Sequence, residues 1–86
     1  MTDLEPVKYV VNCHALRNHI YLESRGKGGW VVTDGSGVLN SDGEFEYEPL
    51  PSNRDDEFIA RTRFKTIEGA LANFQKHLPQ LAERGF

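Results

Sequence analysis

Ser41-Asp42-Gly43-Glu44-Phe45-Glu46-Tyr47-Glu48-Pro49 places a carboxylate at every second position and an aromatic ring between successive glutamates, until a proline ends the run. Period two is the signature of a strand with two chemically opposite faces. Asp42, Glu44, Glu46 and Glu48 then point to one side and Phe45 and Tyr47 to the other. Register predicts the aromatic side as core. The carboxylate side is either a partner's footprint or a solvated face.

Downstream, Pro49-Leu50-Pro51-Ser52-Asn53-Arg54-Asp55-Asp56 reads as a loop, since neither proline can donate to a ladder. Phe58, Ala60, Thr62 and Phe64 next alternate with Ile59, Arg61, Arg63 and Lys65. This predicts a last strand over 58–64 with one apolar and one largely basic face. If it neighbours strand 44–48, Arg61 and Arg63 sit opposite the glutamates and partly neutralise them, each exposed pair contributing only ~0.2 to 1 kcal/mol.

Upstream, Val7, Tyr9, Val11, Cys13 and Ala15 alternate with more polar neighbours, as do Ile20 and Leu22 with His19, Tyr21 and Glu23. Leu16-Arg17-Asn18 is placed to turn the chain, so these two strands are expected to pair as a hairpin. Arg25-Gly26-Lys27-Gly28-Gly29 is a glycine-rich turn, and Trp30-Val31-Val32-Thr33 the third strand. Asp34-Gly35-Ser36-Gly37 and Asn40-Ser41-Asp42-Gly43 bracket a very short extended piece, Val38-Leu39. After the last strand, Thr66 is a good N-cap, Glu68 suits the positive first turn, and Ile67, Ala70, Leu71, Phe74 and Leu78 recur at helical spacing. Pro79 predicts that this helix ends near His77 or Leu78, with Leu81 in a further short turn. The fold class is therefore α+β: an antiparallel β-sheet of four or five strands with one C-terminal helix packed on one face. The expected core is Tyr9, Val11, Ile20, Leu22, Phe45, Tyr47, Phe58, Ala60 and Phe64, with Ile67, Leu71, Phe74 and Leu78 from the helix.

The junction Phe64-Lys65-Thr66-Ile67-Glu68-Gly69-Ala70-Leu71 resembles the strand-to-helix step, roughly Phe-x-Thr-x-Glu-Glu-Ala, of small sheet-plus-helix modules in phage and mobile-element proteins, among them arm-type DNA-binding domains of integrases. The resemblance covers about a quarter of the chain, and Gly69 departs from the usual Glu. It implies the same sheet-then-helix fold and a phage or bacterial accessory origin. Its implication of DNA binding is opposed by the sparse lysine and arginine.

Eighty-six residues suit a single domain, residues 1–6 forming a loose tail, because a chain this short cannot be divided into two cores. The net charge is −3, yet residues 42–57 carry seven acids against Arg54 alone, which leaves the remainder mildly basic. That balance argues against a general nucleic-acid binder and for a basic partner surface. Cys13 is the only cysteine, so no internal disulfide is available and a reducing compartment, the cytoplasm, is expected. Neither a secretory signal nor a membrane span is apparent.

No catalytic motif stands out. Cys13 and His14 are adjacent on a strand and face opposite sides, so together with His19 they make a poor metal set. Asp34-Gly35-Ser36-Gly37-Val38 lacks the glycine and final glutamate of a calcium loop, and Gly26-Lys27-Gly28-Gly29 lacks the spacing of a phosphate loop. Glu44, Glu46 and Glu48 are ~6.6 to 7 Å apart along a strand, a glycosidase-like separation, but lie on its wet face, where nothing sets their pKa values apart. We expect no enzyme, cofactor or metal. The expected function is a protein-interaction module whose acidic face (Asp42, Glu44, Glu46, Glu48, Asp55, Asp56 and Glu57) meets a basic partner surface. One alternative is a nucleic-acid module using Arg25, Lys27, Arg61, Arg63 and Lys65 with Trp30 or Tyr21 as stacking surfaces. Another is an assembly subunit that dimerises through a sheet edge.

Overall fold

The computed structural model describes residues 8–26 and 29–86. Five strands, β1 (Lys8–Val11), β2 (Ile20–Ser24), β3 (Trp30–Thr33), β4 (Val38–Leu39) and β5 (Phe45–Glu46), form an antiparallel meander in the order β1-β2-β3-β4-β5. A short 3-10 helix (Pro51–Asn53) and two α-helices follow, α1 (Asp56–Thr62) and α2 (Ile67–Glu83). The architecture is α+β, with the C-terminal helix on one face of the sheet. Val7, Lys27 and Gly28 lie outside the described residues.

The register sorts the side chains cleanly. Tyr9 is paired with Leu22 and Leu22 with Val32, and Val11 with Ile20. These residues therefore share one face, on which Ile20, Leu22 and Val32, with Val11 partly covered, meet Ala70, Phe74 and Leu81 of α2 in the main core together with Leu39. Strand alternation sends Val31 and Val38 to the opposite face, where Phe58 of α1 covers them. A sheet so thin is stabilised by being clasped on both sides, since each face exposes apolar area that only a helix removes from water. Tyr9, expected in the core, is only partly covered on the edge strand, its ring 5.9 Å from that of Trp30.

The largest departure from the sequence reading is residues 58–64, which form helix α1 and its exit rather than a strand. A spacing of four is common to period two and period 3.6, so Phe58 and Thr62 fit either pattern. Both are buried, whereas Ala60, core in the strand reading, is exposed. The local chemistry settles the choice. The Asp55 carboxylate accepts the Phe58 N–H at 2.8 Å as an N-cap. Asp56 and Glu57 occupy the first turn, where the helix dipole favours negative charge. Thr62 donates its hydroxyl to the Phe58 carbonyl at 2.7 Å. Phe64 then makes a single two-bond bridge to Trp30. Gly29 permits this close approach, for a Cβ there would stand 2.5 Å from the Phe64 carbonyl oxygen.

Two further expectations are corrected. α2 does not end at His77 or Leu78 but continues through Pro79 to Glu83. Pro79 lies on the exposed side, so the hydrogen bond it cannot make falls toward water. Leu81, fully buried two residues on, anchors the continuation. The acidic strand is also shorter than 44–48, being regular only at Phe45–Glu46. Phe45 does face the core, 5.2 Å from Phe86, but Tyr47 is 75% exposed. Leu16, read as part of a turn, is buried in the main core. It is held there as the following Arg17 and Asn18 donate their N–H groups to the Phe86 carbonyl.

Candidate interaction surfaces

The four carboxylates of the acidic run have different fates. Asn40 sets them up: its buried side-chain carbonyl accepts the N–H groups of Asp42 at 2.9 Å and Glu44 at 3.0 Å, forming the β4–β5 turn. Gly43 closes that turn at φ 86°. The turn is docked on α1 and α2, through Ser41 N–H to the Arg61 carbonyl at 2.8 Å and His77 Nε2, which donates to the Ser41 carbonyl at 3.0 Å.

Glu46 alternates onto the α1 face. Its oxygens accept Nε and a terminal nitrogen of Arg61 at 2.8 and 2.7 Å and the Asn40 amide at 2.8 Å. The bidentate Arg61 contact holds the Glu46 carboxyl below its ordinary range, against the opposing effect of burial.

Glu48 is the more heavily used. Arg25 grips it with two hydrogen bonds, 3.0 and 2.8 Å, Arg63 adds one of 2.6 Å, and Arg54 stands 3.5 Å away. Three guanidinium groups from the end of β2, the loop before α1 and the end of α1 thus converge on one carboxylate. The Arg25 hydrogen bonds lower the Glu48 pKa most. Arg63 is the innermost cation, its side chain only 6% exposed. Burial pushes its pKa down, and Glu48 pushes back.

The sequence reading paired Glu44, Glu46 and Glu48 with Arg61 and Arg63. For Glu46 and Glu48 the pairing exists, although a helix rather than a neighbouring strand supplies the arginines. Glu44 is instead held by Arg84, beyond the last turn of α2, in two exposed contacts of 3.0 Å. Arg25 and Arg54 were the missed partners. The only signal for them was their position in loops that flank the strand, which fixes no distance.

What is left outward is a different set. Asp42 is exposed on the β4–β5 turn, and Asp55, Asp56 and Glu57 are exposed at the start of α1. Between them, on the loop from β5 to α1, Tyr47 and Leu50 are 75% and 66% exposed, the two most open large apolar residues among those described. The Arg54 Nε–H donates to the Pro49 carbonyl at 2.7 Å, bracing that loop.

Of the basic set considered for nucleic acid, Arg63 and Lys65 lie just beyond the end of α1, with Arg63 tied through Glu48 to Arg25, while Trp30 packs against the main core on the other face of the sheet. Arg61 is occupied on the other side by Glu46, and Lys27 is outside the described residues. Cys13 is half-buried against the core, His14 and His19 are exposed, and the His19 ring stacks on Tyr21 at 6.5 Å. Among the described residues no three His, Cys, Asp or Glu side chains gather as a metal site, and no helix is long and apolar enough to cross a membrane. No protein-family model matches the chain, and searches of curated proteins and of solved structures find no match.

Proposed function

We propose that the protein is a non-enzymatic interaction module that docks on a basic protein surface, using Tyr47 and Leu50 as apolar anchors and Asp42, Asp56 and Glu57 as the charged surround. The observation that carries this reading is the outward display of Tyr47 and Leu50 on a braced loop running into the acidic first turn of α1. An exposed tyrosine ring on a constrained loop binds at low entropic cost, and surrounding acids contribute steering and partner choice more than affinity. Glu46 and Glu48 are removed from the partner surface by their internal pairs, and Glu44 takes at most a rim position. A phage or bacterial accessory factor acting on a host protein fits this design, and β1 as a sheet edge leaves room for self-association.

The test is affinity capture from lysate of the native host with wild type, a Tyr47→Ser/Leu50→Ser variant and an Asp56→Asn/Glu57→Gln variant. The expected result is a basic protein retained by the wild type and lost by the first variant. The second variant should retain it with weaker salt dependence and about threefold to tenfold lower affinity, the scale of rim charges. Recovery of the same protein in equal amount by all three would refute the surface.

A further inference from the structure

Five of the six arginines, Arg25, Arg54, Arg61, Arg63 and Arg84, are ion-paired with a glutamate. Arg17 is the sixth, and among the described residues it makes no such pair. It sits in the connection between β1 and β2, residues 12–19, which is long beside the ~2 to 5 residues usual for a hairpin. The extra length encloses an open cavity of about 230 Å³ whose lining includes Val10, Asn12, His14, Arg17, Asn18 and His19. No aspartate or glutamate among the described residues lines it, so in a protein of net charge −3 a guanidinium, two imidazoles and two carboxamides gather without an internal acid. The loop that carries them has a fixed shape. Leu16 is buried in the main core, and the Arg17 and Asn18 N–H groups donate to the Phe86 carbonyl. The His19 ring stacks on Tyr21, whose strand partner is Val10, so His19 and Val10 border the same side of the hairpin. The Arg17 backbone and the His19 ring are thus in place before a ligand arrives, which lowers the ordering cost of binding.

A small anion answers this lining. One arginine fork satisfies a planar carboxylate, whereas a tetrahedral phosphate offers oxygens in more directions than one fork can serve, and each imidazole adds at least one N–H donor. We propose that the cavity binds a phosphate group, gripped by Arg17 with His14 and His19 as further donors, the carbon part of a small phosphate ester lying against Val10. The volume is below the ~300 to 1,000 Å³ of drug-sized sites and suits a ligand of that size. Inorganic phosphate and a small phosphate ester share this chemistry. The site uses none of the residues of the acidic partner surface and stands or falls independently of it.

Inorganic phosphate, glycerol phosphate and succinate are titrated separately into the full chain at neutral pH and constant ionic strength, and the backbone amide NMR signals are followed. The expected result is saturable shifts of the Arg17, Asn18 and His19 amides with both phosphates, at lower concentration than with succinate. Tighter binding of glycerol phosphate assigns the natural ligand to the small phosphate esters; equal affinity assigns it to the ion itself. Arg17→Gln keeps the backbone donor and breaks no ion pair seen among the described residues. It should therefore keep the thermal midpoint while weakening phosphate binding at least about tenfold, the loss of a charge-assisted hydrogen bond. No saturable shift at these amides with either phosphate, an affinity for succinate equal to or above that for phosphate, or an unchanged phosphate affinity in Arg17→Gln would overturn the proposal.

Discussion

Glu48→Gln should lower the unfolding free energy by about 2 to 4 kcal/mol, a large part of the ~4 to 13 kcal/mol expected for a domain of this length. The reason is electrostatic before it is steric. Glutamine keeps the shape and one acceptor oxygen but leaves Arg25, Arg54 and the buried Arg63 facing one another with no carboxylate among them. Breaking a buried pair by removing one partner costs ~3 to 5 kcal/mol, and the partial exposure of Arg25 and Arg54 reduces that figure. Glu44→Gln, which disturbs only the exposed pair with Arg84, should cost no more than about 1 kcal/mol. Arg54→Met gives a second handle on the cluster. Its contact with Glu48 is the longest of the three, so the single change should cost about 1 kcal/mol, mainly its hydrogen bond to the Pro49 carbonyl, and in the Glu48→Gln background that cost should shrink because a repelling charge is removed with it. Urea unfolding of the four proteins measures this coupling. Additive effects would mean that Glu48 is not the hub.

Gly43→Ala should cost a similar amount, about 2 to 4 kcal/mol, through backbone and packing together. Gly43 sits at φ 86°, where an L-residue is strained by ~1 to 2 kcal/mol. A Cβ there would also stand 2.6 Å from Nδ1 and 2.7 Å from Cγ of His77. His77 is buried and bonded to Ser41, so it has nowhere to retreat without giving up that hydrogen bond. Gly35→Ala separates the two contributions. Gly35 has φ 96° and no atom within 4 Å of its would-be Cβ, so it should show the backbone cost alone. Combining Gly43→Ala with His77→Ala should cost less than the sum of the two, since the collision is gone. Equal losses at Gly43 and Gly35 would show that the turn does not rest on His77.

The residues that were legible in the sequence are those whose local pattern has one solution. Trp30-Val31-Val32-Thr33 was read residue for residue, because β-branched residues between two glycine turns fit no other element. The start of α2 was equally plain, since Thr66 caps it and its oxygen accepts the Gly69 N–H at 3.0 Å. Residues 58–64 misled because Phe58 and Thr62 satisfy both periods, and the discriminating signal was the cap: Asp55 followed by two acids announces a helix. Pro79 misled in the opposite direction, since local chemistry stops a helix there and only the tertiary demand of Leu81 carries it on. The pairing of Glu46 with Arg61 was half legible, as sign and neighbourhood were right and the element wrong. The convergence of Arg25 and Arg54 on Glu48 was not legible at all, because contacts spanning the sheet depend on register and loop path, which no local pattern encodes. The exposure of Tyr47 was hidden for the same reason: the strand ends before it, and alternation ceases to assign faces.

The acidic segment shows a division: Glu46 and Glu48 are consumed by internal ion pairs, while Asp42 and the acids at the start of α1 stay exposed. The most direct test of this division is a carboxyl-carbon NMR titration of the wild-type protein. The Arg61 pair and the arginine cluster should hold Glu46 and Glu48 below the ordinary glutamate value of about 4.3. Because the folded-state pKa values are depressed, the stability these groups contribute is complete above that value. It is lost as the pH falls from there through the lower, folded-state values, so acid unfolding should track their protonation. Titration of Glu46 and Glu48 in the ordinary range, as for solvated carboxylates, would contradict the account.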